Sequence, residues 1–358
     1  MIVSAKSMQN LKKNKAFYGS LFALPYWASQ SIDEIAKDAP AYCRPLVGGQ
    51  AVMGGVMMRN GDVYGLAVRK QDAIVACKRP WVSILNYRAL RLPFIRGFPV
   101  LLETLYNGVQ ALNHSAILSE DASEPPLTKW QLILNMIIAI ILAIVLFVLA
   151  PHLLSILMYW FDISGDVEGL SFHIWDGFFK FFIFIGYIWL IARIPEIEAV
   201  LAYHGAEHKT IHAFELAQEV NAHTAHAMSR LHPRCGTTFL LFVISMSIIL
   251  HALLVPLLLN CCMPNAELTK HILSVSIKLF LIIPISAVSY EIIRKAAKLK
   301  AGWQATLLQA PGLFLQKLTT REPNLAQLEV AVIALYLALD TEDRQKISTV
   351  PFSEIDAA

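Results

Sequence analysis

WQLILNMIIAIILAIVLFVLAPHLLSILMYWF, residues 130–161, contains no Asp, Glu, Lys or Arg. It is well beyond the roughly 18–20 apolar residues that a helix needs to cross a hydrocarbon layer about 30 Å thick. Three further apolar stretches follow, at 177–192, 237–262 and 279–290, each with mixed flanks. Hydrophobic residues make up 56% of the chain and charged residues only 16%, a balance far from that of a soluble domain. The pattern predicts a mainly α integral membrane protein with about four transmembrane helices. The second span reaches full length only by taking in Asp176 and Lys180, an i, i+4 pair that would neutralise itself near one interface. The fourth takes in Lys278, whose stem would snorkel. For these two the alternative is an interfacial or buried helix.

Basic residues set the expected sidedness. The connection 151–171 has Asp162, Asp166 and Glu168 but no Lys or Arg, whereas Arg193, Lys209, Arg230 and Arg234 lie between the second and third spans. Arg294, Lys295, Lys298 and Lys300 follow the fourth. The positive-inside rule then places both termini in the cytoplasm of a multi-pass inner (plasma) membrane protein. No cleavable signal peptide is expected at the N-terminus. A net charge of +3, dispersed along the chain, argues against nucleic acid as a partner and leaves membrane lipids, a membrane-associated substrate or protein, and further copies of the chain. The five cysteines suggest no disulfide framework.

Outside the spans the expected organisation is a segment at 1–44 that is interfacial or mobile, a cytoplasmic unit at 45–118, a linker at 119–129 and a cytoplasmic segment at 294–358. The membrane domain, 130–293, carries an insertion between its second and third spans. Within 45–118, AVMGGVMMR, VYGLAVRK and AIVACKR read as three strands of a small β-meander, with turns at Asn60-Gly61 and Gln71-Asp72. The glycine pair reads as close packing of a bent strand. Residues 94–118 read as an amphipathic interfacial helix. Beyond the spans, a segment opening at Pro311-Gly312 ends in a helix of about fifteen residues.

The insertion holds the candidate chemistry. In YHGAEHK, His204 and His208 stand four residues apart, so on a helix both imidazoles share a face with Glu207 beside them. This order, H-x-x-E-H, is an inverted zinc-peptidase signature. The runs HPRCG, residues 232–236, and SYE, residues 289–291, fall at the same membrane face, so His232, Cys235 or Glu291 could complete a set of metal ligands. Glu207 is placed to act as general base. Glu215 lies about 10 Å along the helix from His208, which suits a supporting hydrogen bond better than direct ligation. His223 and His226 also have ligand spacing, but read as a solvated loop.

Taken together, GGQAVMGGVMMR, RGFPVLLETLYNG, YHGAEHKTIHAFE, HPRCGTTFL, SYEIIR and PGLFLQKLTTREP resemble the YqhQ-like family over about residues 45–340. These are bacterial membrane proteins classed as a domain of unknown function and described as predicted metal-dependent enzymes. By motif matching the resemblance implies functional roles for His204, Glu207, His208, Glu215, His232, Arg234, Cys235 and Glu291. One departure stands out: the family pattern carries a glutamate where this chain has Gly54, which would remove or relocate a ligand if that carboxylate belongs to the site. The expectation is a divalent metal, zinc first, serving a hydrolase that activates water. The alternative is a non-catalytic structural or assembly factor whose polar clusters knot the bundle to the meander.

Overall fold

The computed structural model describes residues 45–85, 87–119, 128–217, 219–262, 266–296 and 302–355. The expected segment 1–44 and most of the 119–129 linker lie outside these residues. In chain order the strands are β1 (Gly48–Val52), β2 (Gly55–Asn60), β3 (Val63–Lys70), β4 (Ala73–Pro80) and β5 (Ser353–Glu354). The helices are α1 (Gly97–Ser119), α2 (Lys129–Ile144, continuing through a π turn at Val145–Leu149 into Ala150–Trp160), α3 (Leu170–Ile191), α4 (Pro195–Leu216) and α5 (Ala222–His226). They continue with α6 (Gly236–Cys262), α7 (Glu267–Phe280), α8 (Ile282–Ala296), α9 (Trp303–Thr319), α10 (Leu325–Ala338) and α11 (Thr341–Arg344).

Strands β1 to β4 form an antiparallel meander, and β5 joins the edge parallel to β4. Where the sequence pattern predicts one bent strand over AVMGGVMMR, the chain turns back on itself, with Val52 opposite Gly55. Gly54 makes that turn at φ +66°, a conformation that costs glycine nothing. At Gly55 a Cβ would come 2.1 Å from the carbonyl oxygen of Ala67, so only a bare backbone fits against β3. The predicted turn at Asn60-Gly61 is displaced by one residue, because Asn60 pairs with Val63 and leaves Gly61-Asp62 as the loop. Gln71-Asp72 turns where predicted, between Lys70 and Ala73.

Both faces of the sheet are covered. Val52, Met57, Leu66, Val68 and Cys77 pack under α1 through Ala111, whereas Val56, Met58, Ala67, Ile74 and Ala76 share a core with α4 and α10. This sandwich explains why α10 is apolar all round rather than on one face: sheet and α4 enclose it. Residues 45–118 and 294–358, separate segments in the sequence reading, therefore share one hydrophobic core.

Helix α1 is amphipathic with its polar stripe turned inward. Glu103 and Asn107 are buried, while Leu102, Leu105, Tyr106 and Leu112 are exposed. The Glu103 carboxylate accepts from Trp81 Nε1 at 2.5 Å, Ser83 Oγ at 2.9 Å and Ile84 N at 3.2 Å; Asn107 brackets Val82 through its peptide N and O. Those bonds tie the segment after β4 to α1. At its other end α1 touches α8 closely, for a Cβ on Gly97 would lie 2.6 Å from Ala287 Cα.

Among the described residues, four helices are long and apolar enough to cross a membrane: Ile133–Trp160, Leu170–Ile191, Gly236–Cys262 and Glu267–Ala296. Large apolar side chains such as Ile137, Leu142, Phe182 and Leu257 are exposed along them. The 161–169 connection is tied to the start of α7 by the Glu168–Lys270 ion pair, and its Val167 belongs to a core cluster with Phe172 and Leu259. The opposite end carries α4 and the sheet. Helix α9 is not legible from its sequence, since it runs through Pro311-Gly312, where the pattern suggests a start. Its crossing with α6 is close: a Cβ on Gly312 would strike the Thr238 side chain at 2.4 Å.

The charges within the spans turn inward: Asp176, Lys180 and Lys278 are all buried. Lys278 is fully buried and bonded at 2.5 Å to Asp176, which also faces Lys180 at 3.4 Å. Buried away from water, these groups solvate each other inside the bundle.

Candidate metal centre

Helix α4 starts with Pro195 in its first turn, accompanied by Glu196 and Glu198, a favourable arrangement for a helix N-terminus. It lies against the chain leaving α9: Arg321 N donates to Leu201 O at 2.8 Å. The glycine of HGAEH is needed for that approach, because a Cβ on Gly205 would lie 2.1 Å from Arg321 O. The same contact fixes the first histidine. His204 Nδ1 lies 2.8 Å from Thr319 O, and His208 Nδ1 lies 2.6 Å from Arg230 O. A carbonyl only accepts, so each Nδ1 carries the ring proton and each Nε2 presents a lone pair. This is the arrangement in which an imidazole ligates a metal while its other nitrogen is held by a backbone oxygen.

Both Nε2 atoms converge on Cys235. His204 Nε2 lies 3.2 Å from Cys235 Sγ, and the donor atoms of His204, His208 and Cys235 all stand within 4.8 Å of one another. Donors around one tetrahedral zinc would be spaced at roughly 3.3–3.7 Å, so the set is near closure. The fit has a second sign. His208 Nε2 is buried without a hydrogen-bond partner, an orphan that a metal would satisfy. This group could hold a metal ion. Around the sulfur, Thr237 N lies at 3.3 Å and Thr237 Oγ1 at 3.0 Å, which holds the side chain in place.

The remaining predicted residues take different places. Glu207, 5% exposed, lines a cavity of about 220 Å³ with His208, His232, Arg234 and Cys235, closed on the far side by β1. Its carboxyl packs on Gly49, where a Cβ would lie 2.9 Å from Glu207 Cδ. Burial pushes the Glu207 carboxyl above its ordinary range, opposed by the nearby His204 and His232 rings. His232 is not part of the converging group. Its Nδ1 accepts from Arg234 N at 3.3 Å, which turns its Nε2 proton toward Glu215, 3.6 Å away. Burial lowers the His232 pKa to about 4, with Glu207 opposing. His212 stacks on it at 4.5 Å and is lowered by burial to about 3. Glu215 also pairs with Arg234. Glu291 is placed elsewhere: both of its oxygens accept from Arg96 at 2.7 Å, which ties the start of α1 to α8.

Sequence reasoning passes over the residues that hold the donors in place. Gln316 is fully buried, and its amide accepts from His232 N and donates to His232 O, both at 2.8 Å. It grips the HPRCG loop as another backbone strand would. Arg230 donates to Thr320 Oγ1 at 2.8 Å, and its own carbonyl holds His208. The available signal was weak: Gln316 is one of three glutamines in α9 and stands next to Lys317.

A model of the family described as "Protein of unknown function (DUF1385)" matches residues 92–341. The chain belongs to this family. It is also similar to the "Uncharacterized protein YqhQ" of Bacillus subtilis (strain 168), at 28% identity over 303 residues, covering 80% of this chain and 90% of that protein. No solved structure matches it. The DUF1385 match contains His204, His208, Cys235 and Gln316, the donors together with their support, and leaves β1 to β4 outside. Gly54 does not bear on the donors. It lies five residues from Gly49, about 15 Å along an extended strand, at the far end of β1 from Glu207.

Replacing Gln316 by Leu is expected to release the 232–235 loop and cost at least tenfold in metal affinity, the low end for a supporting residue. Metal titration of purified protein against a competing chelator checks this, and an unchanged affinity would show that the loop needs no clamp.

Proposed function

We propose that this protein is a metal-dependent membrane hydrolase. His204 Nε2, His208 Nε2 and Cys235 Sγ would hold one divalent cation, zinc by the chemistry of a His2Cys set. Held by these three residues, such an ion would supply a water activated for attack. The single observation that carries the reading is the orphaned His208 Nε2, facing two further donors beside a cavity that also holds a buried carboxyl.

Within that cavity Glu207 takes the proton from the attacking water. Burial, which raises its pKa, makes it a better proton acceptor than an exposed carboxylate. Arg234, fixed by Glu215, lines the same space and would orient an oxygen of the substrate. The space is too small for a folded partner and suits one peptide or ester group. Thr104 of α1 also lines it, and α1 turns Leu102, Leu105 and Tyr106 outward next to the spans. A substrate lying in or on the bilayer fits that setting. The distribution of Arg and Lys supports a cytoplasmic position for this end of the bundle.

Elemental analysis of purified protein tests the proposal. Wild type should carry about one zinc per chain and His204→Ala/His208→Ala none, as expected for loss of two of three ligands. A metal-free wild type, or equal content in the double variant, defeats it. Lost thermal stability in the double variant with no effect of chelators on wild type would instead favour the structural role.

A further inference from the structure

The spans contain a second polar centre, remote from the metal donors. Asp176 of α3 bridges Lys278 of α7 at 2.5 Å and Lys180 of α3 at 3.4 Å. Measured from the end that bears the two short connections, Asp176 and Lys180 lie about 9 and 15 Å along α3. Lys278 lies about 17 Å along α7, and His251 about 17 Å along α6. The centre therefore sits near the middle of a hydrocarbon layer about 30 Å thick. Two ammonium groups against one carboxylate leave an excess positive charge, which such a medium disfavours. Shedding one proton removes it.

A route for that proton is built in. Lys278 Nζ lies 3.1 Å from His152 Nδ1, and His152 Nε2 lies 3.1 Å from His271 Nδ1. An ammonium only donates, so His152 Nδ1 is the acceptor and the ring proton sits on Nε2, directed at His271 Nδ1. His271 in turn carries its proton on Nε2. It is half-buried, in the second turn of α7, beside the ion-paired mouth formed by Glu168, Glu267 and Lys270. The chain of donors is polarised in one direction, from the core to the rim. The π turn at Val145–Leu149, just before Pro151, absorbs the proline and immediately precedes His152.

The other branch is a dead end. Lys180 Nζ lies 3.0 Å from His251 Nδ1, which leaves the His251 proton on Nε2, buried without a partner. Nearby, His173 Nδ1 and Ser274 Oγ are also buried and unpartnered. Toward the metal end, the α3 face that carries Asp176 and Lys180 continues at the same spacing with Phe184 and Ile188, packed on Leu241 and Leu315. That apolar layer closes the centre on one side.

We infer that Asp176, Lys180 and Lys278 form a proton-exchange site within the membrane bundle, loaded and unloaded through His152 and His271 from the end bearing the 161–169 connection. Each transfer conserves protons. Lys278 gives one to His152 Nδ1, His152 Nε2 gives one to His271 Nδ1, and His271 Nε2 gives one to water; the reverse sequence reloads the site. The ligand is a proton, and the site stands independent of whether the metal centre is catalytic.

The test is nitrogen NMR of 15N-histidine protein in lipid nanodiscs. In wild type, His152 and His251 should both be protonated on Nε2, and the His152 proton should exchange with water at least tenfold faster than that of His251. His271→Phe should slow exchange at His152 at least tenfold while leaving the His204 and His208 signals in place. A His152 protonated on Nδ1, or exchange at His152 indifferent to His271→Phe, overturns the inference. Should His271→Phe not fold, the wild-type tautomers and the His152/His251 exchange ratio decide by themselves, equal rates counting against the relay.

Discussion

Glu207→Gln should retain the bound metal and lose turnover by about 10²- to 10⁴-fold, the range expected when a positioned general base is removed. The substitution keeps the shape of the side chain that packs on Gly49 and removes only its capacity to take a proton. Nothing in the donor set depends on it, since the three converging donors come from His204, His208 and Cys235. The measurement pairs elemental analysis with hydrolysis of peptide and ester substrates by the reconstituted protein. Full activity in the variant removes Glu207 from the chemistry. Loss of metal together with activity would instead make the carboxylate a ligand. The two outcomes are separable because Glu207 lines the cavity while both histidine Nδ1 atoms are anchored elsewhere, on Thr319 and Arg230.

What the sequence discloses about the metal donors is what a helix imposes locally. The i, i+4 spacing of His204 and His208 needs no tertiary information, and the run HPRCG advertised Cys235 as a donor from another element. Glu291 shows the limit of that reasoning. It ends at the expected helix, but its partner is decided by Arg96, a residue 195 positions away whose guanidinium takes both carboxylate oxygens. His232 failed to join the donors for a different reason: the backbone of Arg234, two residues on, already occupies its Nδ1. In the meander, the doublet Gly54-Gly55 looked like a kink because strand signals flank it on both sides. A left-handed turn followed by a close backbone crossing demands the same two residues. Burial hid the rest. Helix α1 has the alternation of an ordinary amphipathic helix, but its polar stripe serves the loop at Trp81–Ile84 and its apolar stripe faces outward, an inversion that periodicity alone does not disclose.

Asp176→Asn should be the most destabilising single change in the bundle, at about 3–5 kcal/mol, because it keeps the volume and strips the only carboxylate from two buried ammonium groups. Lys278→Met removes charge from the same centre yet should cost less, since Asp176 and Lys180 remain as a balanced pair. The order of the two effects is the informative result. If the centre were held by packing alone, the methionine substitution would be the worse, because Lys278 is a large and fully buried side chain and asparagine is nearly isosteric with aspartate. If charge balance governs, asparagine is worse, and combining Asp176→Leu with Lys180→Met and Lys278→Met restores much of the loss by removing every charge at once. Thermal unfolding in detergent measures all of these, and a triple variant less stable than Asp176→Asn would show that the hydrogen bonds from Lys278 to His152 and from Lys180 to His251, not the balance of charge, tie α7 to α2 and α3 to α6.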